Sequence, residues 1–165
     1  MSDIHNVFIS HYSGDVGKLR RLKERLAACG CVARNSSAEE DKDGGLVRHG
    51  HRVSDETIAR YLRAGIKWAK TLIVIIGEHT HERSWVNYEI RNAHFQGKQI
   101  IGIYDQGCKN AELPEAYKRY GGSPIGWGSL DKLSSMLNGS VPIPETPDGA
   151  PSGPIYNIVH IDCKN

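Results

Sequence analysis

Apolar positions along the chain fall into short β-rich runs separated by stretches with helical spacing. Asn6 to Ser10 (NVFIS) ends in polar residues and predicts a buried first strand. From Asp15 onward Val16, Leu19, Leu22 and Leu26 fall on one stripe, the pattern of an amphipathic helix, and Gly30 stops it. Cys31 to Ala33 reads as a weak second strand, and residues 34 to 53 as a long polar loop. Ser54-Asp55-Glu56 caps a second helix with Ile58, Tyr61, Leu62, Gly65 and Ile66 on its inner face. Thr71 to Ile76 (TLIVII) is continuously apolar, as a central strand covered on both sides must be. Ser84 can cap a helix that runs to about Gln96 with Gly97 at its C′ position, and Gln99 to Tyr104 (QIIGIY) is another buried strand.

This alternation of strand and helix implies parallel strands joined by right-handed crossovers. The expected fold is α/β: a flavodoxin-like, doubly wound parallel sheet of order 2-1-3-4-5 with helices on both faces. Beyond Tyr104 the pattern weakens. A helical hint spans Glu115 to Arg119, Pro124 to Trp127 is a short fifth strand, and Ser129 to Leu137 reads as a capped helix stopped by Gly139. Five prolines between 138 and 154 make a stiff surface segment, and Ile155 to Ile161 alternates like an edge strand. Residues 1–137 are therefore expected to form the α/β domain, and 138–165 an irregular Pro/Gly-rich C-terminal extension.

Composition narrows the function classes. The chain has 165 residues, 21 Lys+Arg against 19 Asp+Glu, and a net charge of +2. Those basic residues are scattered, which is no footprint for nucleic acid. The longest apolar stretch, Leu72 to Ile76, is far too short to span a bilayer, and the start MSDIHNVFIS carries no secretory pattern. Cys29, Cys31, Cys108 and Cys163 lack CxxC spacing and read as reduced thiols, so a cytoplasmic location is expected.

Ligands of an open parallel sheet bind outside the carboxyl ends of its strands, where the strand order reverses. Two loops converge there: His11 to Asp15 after the first strand and Gly77 to Arg83 after the third. The second leads into Ser84-Trp85-Val86-Asn87-Tyr88-Glu89, in which Trp85 and Glu89 are four apart and share a helix face. Burial against Trp85 would raise the pKa of Glu89 and the helix N-terminus would lower it. Read from spacing alone, a glutamate there equally complements the helix dipole, and a tryptophan beside it is core.

Val7-Phe8-Ile9-Ser10-His11-Tyr12 with Asp15, then Ile75-Ile76-Gly77-Glu78 with Thr80, Arg83, Trp85-Val86, Tyr88-Glu89-Ile90 and Gly97-Lys98 through Ile103, resembles the TIR-like family. That family is a branch of Toll/interleukin-1 receptor domains, and the likeness runs most to the TIR-like component of Thoeris anti-phage defence systems, over residues 4 to 104. The resemblance implies cleavage of the nicotinamide–ribose bond of NAD, with NAD as substrate and no cofactor. It implies an ADP-ribose-derived signal, a cyclic isomer or a conjugate, that reaches a separate effector protein, and it allows a homo-oligomer. It makes Glu89 the catalytic residue; at the same crevice Trp85 is expected to shape the pocket wall, and Ser10, His11, Tyr12 and Gly77 to line the substrate site. One departure stands out: residues 34 to 53 lack the Arg-Asp…Pro-Gly string that TIR domains carry after the second strand. Arg34, Arg48 or Arg52 could meet a pyrophosphate there, or be plain exposed arginines. The alternative to an enzyme is a TIR-type interaction module that catalyses nothing.

The remaining constellations are bland. His49/His51 and His79/His81 lack partners with metal-ligand geometry, so no metal is assigned. The acidic run Glu39 to Asp43 lacks the spacing of a calcium loop. No G-x-G-x-x-G or G-x-x-x-x-G-K-[ST] string is present, which leaves neither a Rossmann cradle nor a P-loop.

Overall fold

A computed structural model describes residues 5–11, 16–35, 38–40, 46–48, 51–52 and 54–153. Its main sheet has four parallel strands: β1 (His5–Ser10), β2 (Cys31–Asn35), β6 (Thr71–Ile76) and β7 (Gln99–Tyr104), in the order β2-β1-β6-β7. Three further strands, β3 (Ala38–Glu40), β4 (Leu46–Arg48) and β5 (His51–Arg52), form a separate antiparallel ribbon between β2 and the next helix. The segment expected to be a long loop is therefore a small meander, and β2 runs two residues past Ala33. In the main sheet the strand order reverses between β1 and β6, as the alternation of the sequence predicts.

Alternation along the strands divides the core into two faces. Phe8, Leu72, Val74, Ile76, Ile100 and Tyr104 point to one side, where α2 (Asp55–Trp68), α3 (Ser84–Phe95) and α4 (Glu115–Tyr120) cover them. Val7, Ile9, Ile73, Ile75, Ile101 and Ile103 point to the other, under α1 (Val16–Ala28) and α5 (Leu133–Leu137). On α1 it is Leu22 and Leu26 that are buried, with Leu19 partly so. The approach of α2 is close enough that a Cβ on Gly65 would overlap the Phe8 ring. Ser54 caps α2 as predicted, its hydroxyl accepting from Thr57 N at 3.3 Å. Gly97 follows α3 at φ +69°, the left-handed conformation that a C′ glycine supplies.

The expected fifth strand is reduced to one parallel bridge, Ile103 to Ile125. The edge of β7 is already occupied. Gly102 N donates to the Tyr117 hydroxyl (2.9 Å), which in turn donates to Gly122 O (2.7 Å), and Gly122 N donates to Ile100 O (3.2 Å). Beyond that single Gly122 bond, Ile125 pairs by backbone, donating to Gly102 O (3.0 Å) and accepting from Tyr104 N (2.8 Å). A side chain and a loop thus protect the edge where a strand was expected.

Ser129 to Leu137 is not one capped helix. A 3₁₀ segment (Trp127–Lys132) with Ser129 off helical geometry precedes α5. Gly139 at φ +99° follows α5, as its predicted stop. Beyond it the proline-rich segment makes a turn: Glu145 bridges Pro151, and Thr146 N donates to Ala150 O (2.8 Å). The predicted edge strand Ile155 to Ile161 and Cys163 lie outside the described residues. No helix among the described residues is long and apolar enough to cross a membrane.

Candidate active site

At the carboxyl edge of the sheet, β1 ends in Ser10 and β6 runs into Gly77. Gly77 is held by Thr80, whose buried hydroxyl accepts from Gly77 N at 2.8 Å. A 3₁₀ turn (Thr80–Glu82) then delivers the chain to α3. Ser84 is the first residue of that helix rather than its cap; Arg83 holds the cap position and makes no side-chain capping bond. Glu89, five residues after Ser84, sits in the second turn, beyond the reach of the terminal N–H groups.

Glu89 is only 4% exposed, in a helix whose other buried residues are Val86, Ile90 and Ala93. The opposing influences on its carboxyl resolve in favour of burial. Removal from water drives its pKa up, and a hydrogen-bonding pull from Ser10 acts the other way without matching it, so the group titrates at about 8. The helix dipole fades within its first turn, which Glu89 does not occupy. Ser10, 1% exposed, registers with Val74 and so faces the same side of the sheet as α3. Neither Ser10 Oγ nor Glu89 Oε2 completes a hydrogen bond of good geometry among the described residues, and the buried Tyr88 hydroxyl is likewise unpartnered. Buried polar atoms of this kind are uncommon in folded proteins and call for a reason.

Trp85 is half-buried against the same cluster and meets Tyr88 edge-on, ring centroids 5.3 Å apart at 76°. It serves as wall between the core and α3's first turn. His11 follows the other parity of β1: it lies beside Asn35 of β2, at 3.5 Å, on the side of Val7 and Ile9. Ser10 and Glu89 are thus brought together, while His11 stands at the same edge on the opposite face. Tyr12 lies outside the described residues. Arg34 stacks its guanidinium on the Trp68 ring, 4.2 Å from the centroid, a packing role rather than a phosphate contact. The side chains of Arg48 and Arg52 lie outside the described part.

Sequence reading missed Asn35 and gave no site role to Thr80 and Tyr88, although both stand in the motif. Asn35 carried a usable signal, a polar residue ending a strand at the ligand edge, but the strand was closed too early to count it. His79 and His81 pair with carboxylates, His79 Nδ1 to Glu82 at 3.4 Å and His81 Nε2 to Glu112 at 3.6 Å. Among the described residues no group of three or more His, Cys, Asp or Glu is disposed to hold a metal ion.

A Bacillus cereus (strain MSX-D12) protein named "Putative cyclic ADP-D-ribose synthase ThsB1" is 33% identical over 76 residues, 46% of this chain and 40% of that protein's length. The chain therefore matches well under half of that relative. Among solved structures, a conserved protein from Enterococcus faecalis V583 is 13% identical, with 81% of this chain and 76% of that one covered at a TM-score of 0.48. The TIR domains of the activated Roq1 resistosome directly recognizing the pathogen effector XopQ are 13% identical, with 82% and 71% covered at 0.43. The family model described as Thoeris protein ThsB, TIR-like domain, matches residues 8–110, the segment from β1 past β7. More than half of the chain lies in that match, and the chain belongs to this family of Thoeris TIR-like domains.

Proposed function

We propose that this domain cleaves NAD at the nicotinamide–ribose bond and turns the ADP-ribosyl portion into a nucleotide signal for a separate effector. The observation that carries the reading is the Glu89 carboxyl. It is buried, incompletely hydrogen-bonded and paired with an equally unsatisfied Ser10 hydroxyl where the strand order reverses. A carboxyl held this way costs stability and contributes nothing to the core. A cationic substrate would give it a purpose. The name borne by the Bacillus cereus relative, a cyclic ADP-D-ribose synthase, supports the same chemistry.

The step needs few groups. The C1′–N bond breaks with its electron pair going to the nicotinamide ring, which leaves neutral, so no general acid is required. Positive charge develops on the ribose as in glycoside hydrolysis. A carboxylate fixed in a water-poor site stabilises that charge far better than one in bulk water. With its pKa at about 8, Glu89 is largely protonated at neutral pH. The pyridinium ring of an entering NAD favours the ionised form, so binding expels the proton and readies the carboxylate. The acceptor then attacks C1′ and releases a proton: water gives ADP-ribose, an adenine-side atom gives a cyclic isomer, and a second small molecule gives a conjugate. Trp85 walls the pocket, and Ser10 holds the carboxyl from the side.

The test is incubation of concentrated protein with NAD, with and without lysate from phage-infected cells, followed by mass spectrometry of nucleotides. The expected result is free nicotinamide with a cyclic or conjugated ADP-ribose product, absent from the Glu89→Gln protein. Parent and variant giving the same products at the same rate would remove the proposal and leave an interaction module in its place.

A further inference from the structure

Three side chains on the α1 face fix more than the position of His11. Lys23, from the middle of α1, donates to Asn35 Oδ1. An ammonium has only protons to give, so the amide must present its oxygen to Lys23 and its NH₂ to the other neighbour. That neighbour is His11 Nε2, 3.5 Å from Asn35 Nδ2. A nitrogen facing an NH₂ must accept, which requires the lone pair on Nε2 and the ring proton on Nδ1. The β1–β2 register brings this about: Asn35 is opposite Ile9, and His11 lies two residues further along the same face.

We infer that Lys23 and Asn35 hold His11 as the neutral Nδ1–H tautomer. Asn35 is then a positioning residue for a histidine that donates a hydrogen bond at the crevice and takes up no proton through Nε2. Protonation of Nε2 would set an N–H against the Asn35 NH₂, with Lys23 blocking the flip that could relieve it. The two ring nitrogens diverge, so Nδ1–H is directed away from β2. The tautomer follows from the Lys23–Asn35 and Asn35–His11 contacts. Its use, donation to an oxygen of the dinucleotide away from the cleaved bond, rests on the NAD reading and deepens it. One consequence is that His11 does not activate the acceptor by taking its proton through Nε2.

The experiment is a long-range ¹H–¹⁵N correlation spectrum of the full chain labelled with ¹⁵N-histidine at neutral pH. His11 resonances are identified by their loss in His11→Gln. The expected pattern is a protonated Nδ1 and an unprotonated Nε2. Asn35→Asp, which offers only acceptors, should reverse it and place a proton on Nε2. Lys23→Met, which frees the amide to flip, should give a mixture containing the Nε2–H form even if the Asp variant folds poorly. An Nε2–H tautomer in the parent, or a pattern unmoved by either substitution, overturns the inference. The readout needs no turnover, so a parent protein that leaves NAD intact defeats the catalytic reading without touching this one.

Discussion

Glu89 and Glu145 are both 4% exposed, yet their surroundings treat them in opposite ways. Glu145 Oε1 accepts from Gly126 N at 2.8 Å, and Oε2 accepts from Ser129 Oγ at 3.0 Å and Lys132 Nζ at 2.7 Å. Burial, the largest single influence, pushes its pKa up. The Lys132 ammonium together with the Gly126 and Ser129 donors outweighs that push, so the carboxyl titrates below its ordinary value. Glu89 is as little exposed but lies deeper in the fold, and only Ser10 opposes the stronger push of burial, so its pKa climbs to about 8. One carboxyl is built to be charged and to fasten the 145–151 turn beside Gly126. The other is kept from being charged and fastens nothing. Similar exposure with unequal depth and unequal satisfaction separates the two carboxyls.

The contrast predicts opposite dependences of stability on pH. Glu89 binds its proton more tightly folded than unfolded, so its contribution is complete below about pH 4.5 and is lost as pH rises toward 8. The unfolding free energy of Glu89→Gln, measured by urea titration, should therefore gain on the parent at up to about 1.4 kcal/mol per pH unit across that window, several kcal/mol in all. A constant difference from pH 5 to 8.5 would break the comparison. Glu145 runs the other way: its folded pKa is depressed, so its contribution is present above the ordinary carboxylate range and is lost as pH falls through the folded value.

Smaller effects sharpen the same point. Glu145→Ala strands the Gly126 N–H and the partners on Ser129 and Lys132, and chemical denaturation at pH 7 should register a loss of about 3 kcal/mol. Tyr117→Phe removes the acceptor for Gly102 N and the donor to Gly122 O at the β7 edge; a loss of about 2 kcal/mol is expected, with NAD cleavage intact. Asn87→Ala takes away the Oδ1 that accepts from Ala116 N (2.9 Å) in the first turn of α4, and the thermal midpoint should fall by the equivalent of about 1 kcal/mol.

How much of this the chain announces depends on the range of the interaction. Thr71–Ile76 is buried throughout and Gln99–Tyr104 from Ile100 onward, and both strands end where the apolar pattern ends, because burial on two faces leaves no room for other residues. The order 2-1-3-4 follows from alternation and crossover handedness. The fifth strand fails because a hydroxyl fifteen residues away, on Tyr117, takes the Gly102 N–H that a strand would need, and no local pattern encodes that. The 38–52 ribbon hides in a polar segment because strands that fall outside the main core lack its hydrophobic signature. Glu145 was equally hidden among prolines, although Pro147-Asp148-Gly149 is a turn sequence that could have marked the hairpin. At the site, W-x-x-x-E correctly placed Trp85 and Glu89 on one helix. Whether burial or the dipole governs the carboxyl depended on how deeply Glu89 is packed, a tertiary property that the spacing does not encode.

The most direct measurement sets activity against stability in a single substitution. Nicotinamide release from NAD at pH 8, under whatever trigger activates the parent, should fall by about a thousandfold or more in Glu89→Gln, while its unfolding midpoint holds or rises. A variant that releases nicotinamide at the parent rate, or that loses activity only because it has unfolded, would contradict the claim that this carboxyl is kept unsatisfied for the sake of chemistry.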